Sequence, residues 1–187
     1  MNEKEFRKKL QNIADKYICK EQTQAILELY KTYAHSIKVV EEAIQGKPET
    51  FKYNCCMHSF NINHRNPNNK IMLRSKQEFD KNNETEIFVG VKFVEFCLSQ
   101  EYLCEISLNK VKNDDIIIYF DENSYLQHVG KIKNGRVISK WGKSGNLYEH
   151  SIWEVPIDYG ADVKYFEGIS EGDFEKYFIE YAKYIQK

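Results

Sequence analysis

The chain has 187 residues, which fits a single domain with an additional helical segment better than two independent folds. Its 27 Lys and Arg residues balance 28 Asp and Glu residues, so the net charge of -1 gives no overall field that would attract nucleic acid or an anionic membrane. Hydrophobic residues make up 42% of the chain and aromatic residues 14%, which excludes a disordered protein and supplies a core.

The sequence favours neither a membrane-bound nor a secreted protein. Residues 1–20 alternate charged and apolar side chains and lack the continuous apolar stretch of a secretion signal. No apolar run reaches the roughly 18 residues that a membrane-spanning helix requires. We therefore expect a cytoplasmic protein with no membrane or nucleic-acid partner, while export without a cleaved signal stays open.

The five cysteines are odd in number and lack the paired spacing of metal ligands, so we expect free thiols and not a disulfide framework. Two of them, Cys97 and Cys104, lie among apolar residues and are expected to be small buried side chains. The other thiols are Cys19 and the adjacent pair Cys55 and Cys56.

Apolar residues recur every three or four positions over residues 3–45, which predicts helical structure. We expect a short helix followed by one long amphipathic helix that ends at Gly46, with Pro48 just beyond it. The apolar positions of the long helix are Ile26, Leu29, Tyr30, Tyr33, Ile37, Val40 and Ile44. The two helices are expected to pack as a hairpin, residues 1–47, on a core domain formed by residues 48–187.

The middle of the chain predicts two shorter elements. Residues 51–62 indicate a turn followed by a short helix that begins near Cys55, with Asn54 available as its cap. The apolar residues between positions 86 and 100 favour a buried helix, although Phe88 and Val89 leave a strand possible.

The C-terminal half predicts an antiparallel sheet closed by a helix. Residues 114–120 are rich in β-branched and aromatic side chains and predict a central strand. Residues 128–141 carry Asn134-Gly135 between two alternating arms, a strong hairpin signal. The remaining elements are one or two strands within residues 155–166, around Tyr159-Gly160, and a helix over residues 171–186. Because hairpins and not crossover helices join the strands, the order of elements indicates an α+β fold.

The hairpin turn determines which side chains share a face of the sheet. The expected cross-strand pairs are Lys133 with Arg136, Gly130 with Ser139, and His128 with Trp141. One face then carries four cations, which marks it as facing solvent: Lys131, Lys133, Arg136 and Lys140. His128 and Ser139 therefore point inward, toward whatever packs on the sheet.

An inward histidine beside a small polar residue suits a partnership with a thiol, and Cys55 at a helix start is the candidate. Both a helix start and a nearby imidazole lower the pKa of a thiol and favour the nucleophilic thiolate. The N–H groups of the helix start can also stabilise an oxyanion. Ser139, or a backbone carbonyl near it, would orient the His128 imidazole.

These residues also carry a resemblance to a known family. YNCCMHSF at residues 53–60, followed by QHVGKIKNGRVISKWG at residues 127–142, resembles the papain-like NlpC superfamily of cysteine peptidases and amidases. LYEHSIWEVPIDYG at residues 147–160 is similar to small uncharacterised bacterial members. The resemblance implies an antiparallel sheet with a Cys-bearing helix packed on it. It also implies the roles of three residues: the nucleophile Cys55, the general base His128, and the third polar position Ser139.

The sequence thus predicts a cysteine-dependent hydrolase or acyl transferase that acts on an amide or thioester carbonyl, with no metal and no organic cofactor. A protein or peptide is the expected substrate. The alternative is a non-catalytic papain-like module that binds a partner protein through its N-terminal helices. Ser139 favours this alternative, because superfamily enzymes usually have His, Asn, Asp or Gln at the third position.

Two alternatives concern the residues around Cys55. The neighbouring Cys56 becomes the nucleophile if the helix begins one residue later than expected. A metal site could use Cys55, Cys56, His58 and His64, although adjacent cysteines suit tetrahedral coordination poorly. We expect His58 instead to lie one turn along the Cys-bearing helix.

Two further sites are less informative. Arg65, Lys70 and Arg74 could contact a phosphate or nucleic acid, but loop cations of this kind are usually only solvated. His150 follows Glu149 and is expected at the surface or in a loop.

Overall fold

The computed structural model describes residues 2–16, 18–44, 53–62, 88–142 and 145–185. Within these residues the helices are α1 (Glu3–Ala14), α2 (Cys19–Leu29), α3 (Cys55–Ser59), α4 (Val91–Ser99) and α5 (Glu171–Ile185). The strands are β1 (Lys38–Glu41), β2 (Glu105–Ile106), β3 (Ile116–Phe120), β4 (Leu126–Lys133), β5 (Arg136–Lys140), β6 (Leu147–His150) and β7 (Asp162–Phe166). Two short 3-10 helices are Leu108–Lys110 and Ile157–Tyr159.

All seven strands join one sheet in the order β1-β6-β5-β4-β3-β7-β2, and every neighbouring pair is antiparallel. β4 lies in the middle of this order, and every residue of β3 beside it is buried. The predicted α+β class with an antiparallel sheet is therefore confirmed.

Both faces of the sheet are covered by packed side chains. We call one cluster the Cys-helix core; among its members are Cys56, Phe60, Phe93, Phe96, Val129, Phe174, Phe178 and Tyr181. We call the other the N-terminal core; among its members are Phe6, Leu10, Ile13, Ile26, Tyr119, Trp141 and Tyr148. The helix that carries the cysteines and the N-terminal helices therefore belong to different cores.

The prediction of one long N-terminal helix is wrong beyond Leu29. There α2 ends, and Lys38–Glu41 forms β1, which pairs with β6 at the edge of the sheet. A short apolar stretch fits both helical and strand spacing, and pairing with β6 decides between them because it supplies backbone partners. α1 and α2 do pack against each other, as predicted. The predicted helix stop at Gly46 and Pro48 lies outside the described residues.

The predicted hairpin is confirmed. Asn134 and Gly135 form its turn with φ values of 52° and 71°, the left-handed conformation that a two-residue turn of this kind requires. β4 and β5 pair Lys133 with Arg136, as the turn dictates. The register inferred from the sequence therefore holds next to the turn.

Two of the four cations expected to face solvent are buried, so that prediction is wrong for them. Lys131 lies 3.3 Å from the Asp114 carboxylate. Lys140 is 1% exposed, donates to the Gly145 carbonyl at 2.5 Å and lies 4.3 Å from the ring centroid of Tyr53. Burial lowers the pKa of Lys140 to about 8. The reason is tertiary, because α3 packs over the two strands that carry these lysines.

Other local predictions have mixed outcomes. α4 and α5 confirm the two helices predicted from apolar spacing, whereas β6 was not predicted. All five cysteines are free thiols, as expected. Cys97 is buried as predicted, but Cys104 is exposed, so the prediction is wrong for Cys104. None of the helices in the described part of the chain has the length and apolar character needed to cross a membrane.

Candidate functional site

Helix α3 presents two adjacent cysteines at its first turn. Asn54 caps this helix as predicted, because its side-chain oxygen accepts from the N–H of Met57 at 2.8 Å. The amide nitrogen of Asn54 also donates to the carbonyl of Val89 at 3.1 Å, which ties the start of α3 to the segment before α4. Cys55 is half-buried at this position, and Cys56 is buried.

Three neighbouring groups lower the pKa of the Cys55 thiol. The strongest effect comes from the Cys56 thiol, followed by the charge and hydrogen bond of the His128 imidazole and by the N–H of Val129. Together they hold the pKa of Cys55 well below its ordinary value, although burial opposes the shift. The hydrogen bond to Cys55 and burial raise the pKa of Cys56 well above its ordinary value. These opposite shifts favour loss of the proton from Cys55 over loss from Cys56.

Cys55 and His128 approach each other from different cores. Cys55 packs against the Cys-helix core, whereas the His128 ring lies against aromatic rings of the N-terminal core. The pairing of β4 with β5 ends at Lys131 and Ile138, and α3 packs against both strands. The Cys55 sulfur lies near the backbone N–H of Val129, the residue that follows His128 in β4. Val129 precedes Lys131 and therefore lies outside the paired part of β4 and β5.

Ring contacts hold the imidazole of His128, which is only 2% exposed. The Tyr159 ring stacks on it with a centroid distance of 3.9 Å and an interplanar angle of 17°. Tyr119 lies on the neighbouring strand with its centroid at 5.7 Å. Among the described residues, the Nε2 atom of His128 has no hydrogen-bond partner.

The hydroxyl of Ser139 contacts a second histidine, His150, at 2.8 Å from its Nε2 atom. The Nδ1 atom of His150 lies 2.8 Å from the Ser151 carbonyl. Because a carbonyl can only accept, Nδ1 carries the proton and Nε2 accepts from Ser139. Within the described chain, Ser139 therefore makes its hydrogen bond to His150 and not to His128.

His150 was expected at the surface, and this prediction is wrong. It lies on β6 and is completely buried, with its ring 5.9 Å from that of Trp141. Burial lowers the pKa of His150 to about 3, so the ring is neutral at neutral pH. Alternation along β6 puts His150 on the same face as Tyr148, a local signal that could have indicated its burial.

Sequence reasoning also missed the role of Tyr159. The half-buried Tyr159 closes the 3-10 helix Ile157–Tyr159 between β6 and β7. Burial and then the charge of Cys55 raise the pKa of its hydroxyl well above the ordinary value, which places Tyr159 near both members of the Cys-His pair. The sequence offered only a turn signal at this position, with no indication of a contact to a residue 31 positions away.

The metal alternative gains no support from the part of the chain that the structure describes, where no group of three or more His, Cys, Asp and Glu side chains could hold an ion. His58 lies on α3, as predicted, with its ring 6.2 Å from that of Tyr53. Four residues of the metal and phosphate alternatives lie outside the described residues: His64, Arg65, Lys70 and Arg74.

A family model described as a domain of unknown function, DUF7689, matches residues 44–167, more than half of the chain. The chain belongs to this family. The DUF7689 region includes Cys55, His128, Ser139 and Tyr159, whereas α1, α2 and α5 lie outside the matched residues. Searches of curated proteins and of solved structures found no match.

Proposed function

We propose that this DUF7689 protein is a cysteine-dependent hydrolase or acyl transferase that acts on an amide or thioester carbonyl of a protein or peptide. The observation that carries the proposal is the packing of the Cys55 helix on β4, the strand of His128, where the Cys56 thiol and then the His128 imidazole lower the pKa of Cys55 although burial opposes the shift. A thiolate beside an imidazole combines a nucleophile with a group that can transfer protons.

The chemistry requires two steps. The Cys55 thiolate attacks the carbonyl carbon and forms a C–S bond, while the bond to the leaving amine or thiol breaks and His128 supplies its proton. His128 then takes a proton from water or from an acceptor amine, whose oxygen or nitrogen bonds to the carbonyl carbon. Cleavage of the C–S bond returns the Cys55 thiolate, and the proton is left on His128.

A papain-like arrangement of the NlpC type is part of the same proposal. It is supported by a Cys-bearing helix packed on an antiparallel sheet and by a histidine on the strand that leads into a hairpin. One observation departs from this arrangement. The residue at the third position was expected to orient the His128 base, but the Ser139 hydroxyl contacts His150 instead.

A non-catalytic module that binds a partner protein is the second candidate. The observation that favours it is the Nε2 atom of His128, which has no hydrogen-bond partner within the described residues. Without an acceptor for this atom, an imidazolium formed during the reaction is less stabilised.

Labelling with iodoacetamide at about pH 6 tests the reactive pair. We expect Cys55 to react much faster than the exposed Cys104, which serves as an ordinary thiol within the same chain. His128→Ala should slow the labelling of Cys55 by about tenfold or more and leave Cys104 unchanged. Equal labelling rates at Cys55 and Cys104, with no change in His128→Ala, would contradict the proposal.

Two matched variants test which cysteine is the nucleophile. Cys55→Ala should abolish the fast reaction, whereas Cys56→Ala should retain it with a higher apparent pKa, because the largest contribution to the lowered pKa of Cys55 is lost. Cys56→Ser keeps a donor and should lie between the wild-type protein and Cys56→Ala. Fast labelling that disappears in Cys56→Ala alone would assign the nucleophile to Cys56.

Turnover distinguishes the enzyme from the binding module. A small activated thioester should acylate Cys55, as detected by the mass of the intact chain, and the adduct should decay in water or on addition of an amine. A stable adduct whose formation does not require His128 would favour the binding module.

A further inference from the structure

The His128 imidazole stacks on the ring of Tyr159, and its Nε2 atom makes no hydrogen bond within the described residues. The Tyr159 ring lies 3.9 Å from the imidazole centroid and is nearly parallel to it, at 17°. Ser139 is engaged with His150, and Nε2 finds no partner among the described residues. A ring stacked face to face restricts rotation of the imidazole about its side-chain bonds, which is the task of an orienting residue.

The backbone around Tyr159 is itself fixed. The next residue, Gly160, has φ of 118°, and a Cβ atom there would lie 2.3 Å from the carbonyl oxygen of Phe120. Only glycine tolerates both this conformation and this approach to the neighbouring strand. The C-terminal side of the Tyr159 segment is thus anchored to β3.

Helix α1 anchors the same segment from the other side through Arg7. This buried guanidinium donates to three backbone carbonyls, those of Val155 and Pro156 at 3.2 Å each and that of Gly160 at 2.5 Å. One guanidinium therefore bridges both ends of the segment that carries Tyr159. The Arg7 charge also lies 5.3 Å from the ring centroid of Trp153.

We propose that Tyr159 is a positioning residue for the His128 base, and that Arg7 on α1 holds Tyr159 against the imidazole. Arg7 is then part of the machinery of the Cys-His site, although α1, which carries it, lies outside the DUF7689 match. The inference rests on the proposed roles of Cys55 and His128 and goes beyond them, because it names what orients the base.

The first test is a set of Tyr159 variants in the full chain. Tyr159→Phe keeps the stacking ring and should label at Cys55 with iodoacetamide within about twofold of the wild-type rate. Tyr159→Leu and Tyr159→Met lose the ring, and both should label about tenfold more slowly, because the imidazole is no longer aligned with the sulfur. Tyr33→Leu is the matched control, since Tyr33 packs on Phe6 of α1, and it should leave the rate unchanged.

Proton NMR of the His128 ring gives a readout that does not depend on thiol chemistry. Stacking on Tyr159 shifts the ring C–H signals upfield, and this shift should persist in Tyr159→Phe and vanish in Tyr159→Leu and Tyr159→Met. Signals and rates unchanged by both Leu and Met, or a Phe variant as impaired as Leu, would overturn the inference.

Arg7 is tested by Arg7→Met, which keeps the length of the side chain and removes its donors. We expect a loss of the His128 ring shift and slower labelling of Cys55, while Lys8→Met on the exposed face of α1 leaves both unchanged. If Arg7→Met does not fold, Arg7→Lys, which retains the charge and one donor group, should give an intermediate rate. Wild-type rates and ring shifts in both Arg7 variants would overturn the role of Arg7.

The two proposals fail in different ways. If wild-type Cys55 is labelled at the rate of an ordinary thiol and His128→Ala does not change that rate, the proposed function is contradicted. Fast, His128-dependent labelling that tolerates the loss of the Tyr159 ring would count against the positioning role alone.

Discussion

The cluster around Phe93 and the surroundings of His128 lie on opposite sides of the sheet and are built differently. Phe93 is fully buried, and its ring centroid lies within 5.9 Å of four other rings: Phe60, Phe174, Phe178 and Tyr181. The side of the sheet that carries His128 instead includes buried polar side chains, namely those of Arg7, Gln22, Ser139, Asn146 and His150.

This difference separates stability from reactivity. Apolar contacts around Phe93 contribute to stability roughly in proportion to buried area and do not depend on direction. Polar contacts on the His128 side of the sheet, such as that of Ser139 with His150, act through direction and protonation, so they determine orientation and pH dependence. We therefore expect substitutions on the Phe93 side to change the free energy of unfolding and substitutions near Cys55 and His128 to change the chemistry of the site.

The largest effect on stability is expected from Phe93→Ala. Removing this ring should lower the free energy of unfolding by about 4 kcal/mol, because it leaves a cavity among four aromatic rings. Urea unfolding measures this loss, and Val91→Ala, at a more exposed position of α4, should cost only roughly 0.5 kcal/mol. The labelling rate of Cys55 in the folded variant should stay unchanged; a slower rate would show that the two regions are coupled.

An effect of intermediate size on the free energy of unfolding is expected from His150 at low pH. Its folded-state pKa of about 3 lies below the ordinary histidine value of 6.5, so the folded state resists protonation and stability is lost as the pH falls between these values. At about pH 4 this loss should reach roughly 3 kcal/mol, and His150→Gln should lack it. The stability difference between the wild-type protein and His150→Gln should therefore shrink as the pH falls.

Ser139→Ala is the control for this pH dependence. It removes the hydroxyl but keeps the titrating ring, and the acid-induced loss should persist. Parallel pH profiles for the wild-type protein and His150→Gln would mean that His150 does not become protonated in this range on unfolding.

The smallest effect is expected from Asn54→Ala, which removes the cap of α3. We expect a loss of about 1 kcal/mol in the free energy of unfolding, with slower labelling of Cys55 because the start of the helix is no longer fixed. Asn54→Asp keeps the acceptor for the Met57 N–H and should retain most of the labelling rate. An unchanged labelling rate of Cys55 in Asn54→Ala would show that the helix cap does not affect the reactivity of the site.

Much of the fold was predictable because its signals are local. The Asn134-Gly135 turn sets the β4–β5 register within a few residues, and Asn54 marks the start of α3. The helical spacing of α4 and α5 likewise needs no distant partner. The same local reasoning was wrong at Lys38–Glu41, where the partner strand lies more than 100 residues away.

The sequence by itself determined the antiparallel α+β class, the turn of the hairpin and the position of Cys55 at a helix start, because each depends on neighbours a few residues apart. Tertiary structure decided the burial of Lys140 and His150, the contact of Ser139 with His150, and the stacking of Tyr159 on His128. These contacts depend on which faces the sheet covers and on how distant segments pack. No pattern in a single sequence encodes them, since the energy of a buried polar group is set by its three-dimensional surroundings.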